Sequence, residues 1–166
     1  MGWVANGEAV RNNCTAALSC CAALRRASRS VTLLYDLVLA PTGLRATQFI
    51  VLHIVYDAGQ IAQCDFARNH SVAIETLSRS LGGLRRKGYL QVQVGPRHGE
   101  RVYSLTDAGE DAFLQALPHW QRAQDRLQSA LAHEDWDALL AFCDRVSQAA
   151  KNAERLRKAN QATIAD

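Results

Sequence analysis

Between residues 62 and 105 the hydrophobic pattern changes period once, and that single change limits the folds open to the chain. From about Ala73 to Lys87 the apolar residues Leu77, Leu81 and Leu84 recur at i, i+4 and i+7, which is one face of a helix. Gly88 follows as a residue suited to the left-handed position that ends it. From there the period is two. Leu90, Val92 and Val94 alternate with Gln91 and Gln93, the segment Gly95-Pro96-Arg97-His98-Gly99 turns the chain, and Arg101 to Leu105 resumes the alternation, so a β-hairpin is expected. A short helix from about Ala62 to Arg68 and a turn at Asn69-His70-Ser71 stand immediately before the leucine-backed helix.

Everything outside this segment reads as helix. From Cys14 to Leu39 the residues Ala17, Cys21, Leu24, Ser28, Val31, Tyr35 and Val38 form one stripe, and Pro41 and Gly43 end it. A repeat sustained this long suits packing against another helix, often one from a second subunit. Thr47 to Asp57 is expected as a helix stopped at Ala58-Gly59. Thr106 is placed to cap a helix reaching about Ala132, with Phe113, Leu117, Trp120, Leu127 and Leu131 facing inward and a kink at Pro118. Glu134-Asp135 opens a last helix striped by Trp136, Leu139, Leu140, Cys143 and Val146. The expected fold is therefore mainly α with a small β-hairpin wing, a winged helix-turn-helix.

This order has a physical use. A helix fits the DNA major groove, and a hairpin beside it reaches the neighbouring backbone or minor groove. If the leucines face the domain, Ile74, Glu75, Ser78, Arg79, Arg85 and Arg86 are left to face DNA, with Arg97 and Arg101 presented by the hairpin. The net charge of +3 decides nothing, but residues 79–101 hold Arg79, Arg85, Arg86, Lys87, Arg97 and Arg101 against the single acid Glu100. Arginine suits this work because it is permanently charged and bonds guanine or phosphate bidentately. A solvated basic helix end is the competing reading for Arg79, Arg85, Arg86 and Lys87. An outward-facing helix former is the competing reading for Glu75, and ordinary turn and strand charges for Arg97 and Arg101.

The sequence resembles the MarR family of regulators over about residues 14–150. The stretches that carry the resemblance are Leu24-Arg25-Arg26-Ala27-Ser28-Arg29-Ser30-Val31-Thr32, Gly43-Leu44 with Gln48-Phe49, Thr76-Leu77-Ser78-Arg79, Leu84-Arg85-Arg86-Lys87-Gly88-Tyr89-Leu90, and Leu105-Thr106 with Gly109. It implies a homodimer built from the N- and C-terminal helices, double-stranded DNA with a pseudo-palindromic operator as partner, and release, as from a repressor, by a small-molecule effector or thiol oxidation. The division expected is a loose leader at 1–12, a helical dimerisation region made of 13–45 and 107–158, a winged helix-turn-helix lobe at 46–106, and a frayed tail at 159–166. Three features depart from the family pattern. Ala73 stands where a capping residue is usual, leaving capping to Ser71; Gly82-Gly83 interrupt the helix at roughly 1 kcal/mol each; and the wing tip is Arg97-His98-Gly99.

Five cysteines (Cys14, Cys20, Cys21, Cys64 and Cys143), irregularly spaced and without an export signal, do not suit a disulfide framework. Cys14 and Cys21 lie one heptad apart, about 10.5 Å along a helix, too far for a bond or a shared metal, and no Cys/His spacing announces a metal site. In the hydroperoxide-sensing branch of the family a cysteine stands seven residues before the Ser-Arg of the first helix. Cys21 holds that place before Ser28-Arg29, and Tyr35 falls where that branch has a tyrosine near the thiolate, whereas Arg25 and Ala46 stand where two further tyrosines are expected. Redox sensing by Cys21 with Tyr35 and plain packing both stay open. Cys64 and Cys143 read as structural, with Cys143 a resolving partner for Cys21 only if a dimer joins them. His53 and Trp120 are open to an effector pocket but read as core. An enzyme built on Cys21, His53 and Asp57 finds no nucleophile elbow, phosphate loop or zinc motif, so no catalytic residue and no cofactor is expected. A winged module that binds protein instead of DNA is the remaining rival. No membrane span or signal peptide is visible, and a cytoplasmic location is expected.

Overall fold

A computed structural model describes residues 5–69, 74–97, 99–131 and 133–164, with side chains described for 21–66, 77–97, 99–131, 135–153 and 155–157. Helix α1 spans Ala5–Leu39, and a 3-10 turn at Ala40–Thr42 leads to α2, Ala46–Ala58. Strand β1 is Gln60–Ala62, followed by α3 (Gln63–Asn69), α4 (Ile74–Arg86), the strands β2 (Leu90–Val94) and β3 (Arg101–Leu105), α5 (Asp107–Ala130) and α6 (His133–Ile164). The fold is mostly helical with one small antiparallel sheet, as the change of period predicts. The chain divides into two compact units, residues 1–123 and 124–166.

In the first unit the core gathers around α2. Leu39 of α1, Phe49, Leu52 and Val55 of α2, Phe66 of α3, and Leu77 and Leu84 of α4 are all fully buried. The turn from α1 to α2 is sharp because Pro41 stands at the start of the 3-10 turn and Gly43 closes it at φ 69°. Asp36 then accepts hydrogen bonds from the Ala46 N–H (2.7 Å) and from Nη1 of Arg45 (3.1 Å), so a residue of α1 caps the N-terminus of α2.

Strand order is β1-β3-β2. The hairpin register pairs Leu90 with Leu105 and Val94 with Arg101. Strand β1 escapes sequence reading because three residues show no period. It exists because β3 offers a free edge, where Ile61 pairs with the buried Tyr103.

Helix ends follow their local chemistry. At the end of α4, Gly88 (φ 75°) donates to the Arg85 carbonyl at 2.9 Å and Tyr89 to that of Leu84 at 3.0 Å, the Schellman pattern. At the start of α5 the Gly109 N–H donates to Oγ1 of Thr106 at 3.1 Å, the cap expected of that threonine.

Three expectations, on the two chain ends and on α5, need correction. Residues 5–12 are not a loose leader but the start of α1, because Ala5, Glu8, Ala9 and Arg11 favour helix and no proline intervenes. Residues 159–164 are likewise helical rather than frayed, since Ala159, Gln161 and Ala162 continue α6 without a breaker. On α1, Cys21 and Ser28 are exposed and only Tyr35 and Leu39 are buried among the described residues, so within one chain the stripe is covered only near its C-terminal end, which leaves its packing on a second subunit untouched. On α5, Gly109, Ala116 and Ala123 accompany Phe113 in the buried face, Gly109 against the Tyr89 backbone, while Leu117 and Trp120 are half-buried. Helix α5 runs through Pro118 from Asp107 to Ala130.

The second unit holds the end of α5 and all of α6. Leu139, Leu140, Phe142 and Leu156 of α6 are exposed, and the Arg145 guanidinium lies 5.7 Å from the Phe142 ring centre. Among the described residues no single helix is long and apolar enough to cross a membrane.

Candidate nucleic-acid interface

Helix α4 is divided lengthwise by its sequence. Leu77, Leu81 and Leu84 are buried with Ser80, whereas Ser78, Arg79, Arg85 and Arg86 are exposed. None of these arginines is paired with an acidic side chain among the described residues, so their charge is open to an outside anion. Ile74 and Glu75 lie in the first turn of α4, but their side chains, like Ser71 and Ala73 of the capping question, fall outside the described residues.

One of the two glycines that depart from the family pattern has a local purpose. A Cβ on Gly83 would stand 3.1 Å from Nε2 of Gln48 in α2, and one on Gly82 would stand 3.6 Å from Nη1 of Arg86. Gly83 therefore eases the approach of the Gln48 side chain, whereas the contact at Gly82 is an ordinary one that alanine would make as well. Of the six α4 residues singled out from the sequence, Arg79, Arg85 and Arg86 are thus described as exposed arginines, and Ser78 as an exposed hydroxyl beside Arg79.

The wing is organised by a residue that sequence reading noted only as the lone acid of the segment. Glu100 donates its N–H to the Arg97 carbonyl and accepts, through its own carbonyl, from the Gly95 N–H, both at 3.0 Å. Its carboxylate accepts from the Arg97 N–H at 3.3 Å and from Sγ of Cys64 at 3.6 Å. Gly95 leaves room for it, because a Cβ there would fall 2.6 Å from Oε2 of Glu100 and push the carboxylate from its place. Glu100 thus closes the turn that presents the exposed Arg97, while Arg101 is exposed at the start of β3. The useful signal was a carboxylate three residues after Arg97 in a Gly/Pro turn.

The thiol constellation does not assemble within the chain. Cys21 is exposed on α1. Tyr35 is 4% exposed, its ring centre 4.3 Å from that of Trp120, and burial holds its phenol above the ordinary value of 10.0. Fourteen residues of one helix separate the two by about 21 Å. His53 and Trp120 belong to an aromatic stack centred on Phe49, which meets Trp120 at 4.6 Å and Phe113 at 5.4 Å between ring centres. His53 also pairs with Asp57 at 3.5 Å on the outer side of α2. Cys64 and Cys143, read as structural, are both exposed, and Cys64 bonds the wing instead of the core. Among the described residues no cluster of His, Cys, Asp or Glu is placed to hold a metal.

The sequence matches no family model and no curated protein. Solved structures do match. MosR, a transcriptional regulator from M. tuberculosis solved in complex with DNA, is 29% identical, with a TM-score of 0.73 over 80% of this chain and 96% of its own. CouR, a transcriptional repressor solved on a 23-mer DNA duplex, is 25% identical, with a TM-score of 0.67 over 75% of this chain and 89% of its own. The C80S mutant of MarR from E. coli, complexed with operator DNA, shares the fold at 22% identity, with a TM-score of 0.67 over 74% of this chain and 89% of its own. With the leucine-backed α4, the hairpin wing and these likenesses together, the chain has a winged helix-turn-helix fold and is similar to transcriptional regulators of the MarR family.

Proposed function

We propose that the chain is a sequence-specific DNA-binding transcriptional regulator, a repressor that works in the cytoplasm as a homodimer on a pseudo-palindromic operator. The observation that carries this reading is the division of α4: three buried leucines fix it to the domain while Ser78, Arg79 and Arg85 face outward without an acidic partner among the described residues. In this reading Ile74, Glu75, Ser78 and Arg79 enter the major groove, Arg85 and Arg86 hold phosphates at the helix end, and Arg97 and Arg101 of the wing reach the neighbouring backbone. Residues 46–106 form the DNA-binding lobe. Residues 13–45 and 107–158 form the dimerisation region, supported by the exposed Leu33 and Leu37 of α1 and Leu139, Leu140 and Phe142 of α6. MosR and CouR, solved on DNA, support DNA as the partner.

The test is retardation of a fragment from the protein's own upstream region. Affinity should fall steeply as salt rises, because each phosphate contact releases counterions. No binding at low salt sinks the proposal and favours a protein-binding module. Within that assay, Arg79→Ala should weaken specific binding by about 1–3 kcal/mol and relax preference at one base position. Unchanged affinity would remove Arg79 from the interface.

Release by a small molecule requires that the effector bind the DNA-incompetent state more tightly. Release by oxidation is favoured by one observation, the exposure of Cys21. Cys21→Ser should then abolish peroxide-induced release from the operator. Release that survives the substitution would leave Cys21 a packing residue.

A further inference from the structure

Lys87, the residue after α4, is engaged by its own protein. Its Nζ donates to the backbone carbonyl of Gly43 at 2.6 Å and lies 5.9 Å from the centre of the Tyr89 ring. Gly43 is the left-handed residue that ends the turn between α1 and α2, and its N–H is occupied by the Ala40 carbonyl at 3.0 Å. One turn earlier on α4, Gly83 faces Gln48 of α2. Gln48 in turn accepts the Arg45 N–H at 3.2 Å through Oε1, and Asp36 of α1 holds both Arg45 and the Ala46 N–H. Two contacts from the C-terminal half of α4 therefore land on one short segment, residues 43–48, which is itself fastened to α1.

We propose that Lys87 is a positioning residue: its ammonium latches the end of α4 to the α1–α2 junction and sets the angle at which α4 is presented, instead of contacting phosphate. A flexible four-carbon stem ending in three donors suits a single carbonyl at the surface. The charge is also favourable beside the last carbonyls of α4. The bond to Gly43 uses one of the three donors and holds the ammonium at the α1–α2 junction, whereas Arg85 is exposed at the end of α4 without such a bond. The consequence for DNA rests on the regulator reading, but the latch is a property of the free protein.

The experiment therefore has two arms. In the free protein, amide hydrogen exchange is compared between the wild type and Lys87→Met, which keeps the stem and removes the donor. Exchange should quicken by about 3- to 10-fold both around residues 43–46 and at Lys87 to Tyr89, as expected for the loss of one hydrogen bond. Unchanged exchange in both segments overturns the latch. In the second arm, binding to the upstream fragment is followed over a range of salt, well below the thermal midpoint. Lys87→Met should bind about 3- to 10-fold more weakly at every salt concentration, with the slope of log affinity against log salt unchanged. A slope shallower by about 0.9 for each lost contact makes Lys87 a phosphate ligand and overturns the proposal, as does full affinity. If the wild type shows no salt-dependent binding, the regulator reading falls and the exchange arm alone decides the latch.

Discussion

Gly109 occupies a position with no room for a side chain: a Cβ there would run into the backbone carbonyl of Tyr89. Backbone cannot rotate away as a side chain can, so Gly109→Ala should lower stability by about 3 kcal/mol, read as a fall in the denaturation midpoint. A midpoint within error of the wild type would show that α5 can shift without cost. Tyr35 carries a different prediction. Its phenol is held above its ordinary value by burial, so the folded state keeps a proton that the unfolded chain has lost once the pH passes 10. Stability from this group is complete below pH 10 and declines as pH rises through the folded value. Tyr35→Phe should flatten the alkaline limb of the stability curve, measured by urea unfolding between pH 9 and 11. An identical limb in both proteins would assign the decline elsewhere.

At the scale of elements, the seam between α4, the hairpin and α5 is stitched by Thr106. Its hydroxyl donates to the Gly88 carbonyl at 2.6 Å and accepts from the Gly109 N–H, and its own N–H donates to the Tyr89 carbonyl at 3.2 Å. One threonine thus caps α5 and ties it to the end of α4. Thr106→Ala should cost about 1–2 kcal/mol and quicken amide exchange at both helix ends. Loss confined to the α5 end would leave it a cap alone. The elements themselves were mostly legible, because Leu77, Leu81 and Leu84 declare a helix and Leu90, Val92 and Val94 a strand. The short β1 was not, since its pairing depends on β3 rather than on its own three residues. Nor was the role of Gly83, which with Gly82 read as an interruption of α4 and proves to be where Gln48 of α2 comes close.

At the scale of the molecule, the exposed leucines of α6 are the feature that the proposed homodimer would cover. Replacing both Leu139 and Leu140 by Glu should shift the protein to monomer in sedimentation and weaken operator binding in proportion, with helical circular dichroism retained. A dimer that survives the double substitution would move the interface off this face of α6. Dimerisation matters to DNA binding because one recognition helix reads one half-site, and two joined at fixed spacing gain from the second contact without new chemistry.

By itself, the sequence determined the order of the helices and the hairpin, the division of α4 into leucine and arginine faces, and the cap at Thr106. Each of these is a local property: helical and strand periods, turn chemistry and capping act within a few residues of chain. Only the tertiary structure decided what those elements touch. It gave Glu100 the wing turn and Cys64 a bond to it, set Lys87 on Gly43, and made α1 the cap of α2 through Asp36. These contacts join residues from ten to forty-four positions apart, or from the two sides of a turn, and no short-range pattern in the chain encodes which carbonyl a lysine will reach.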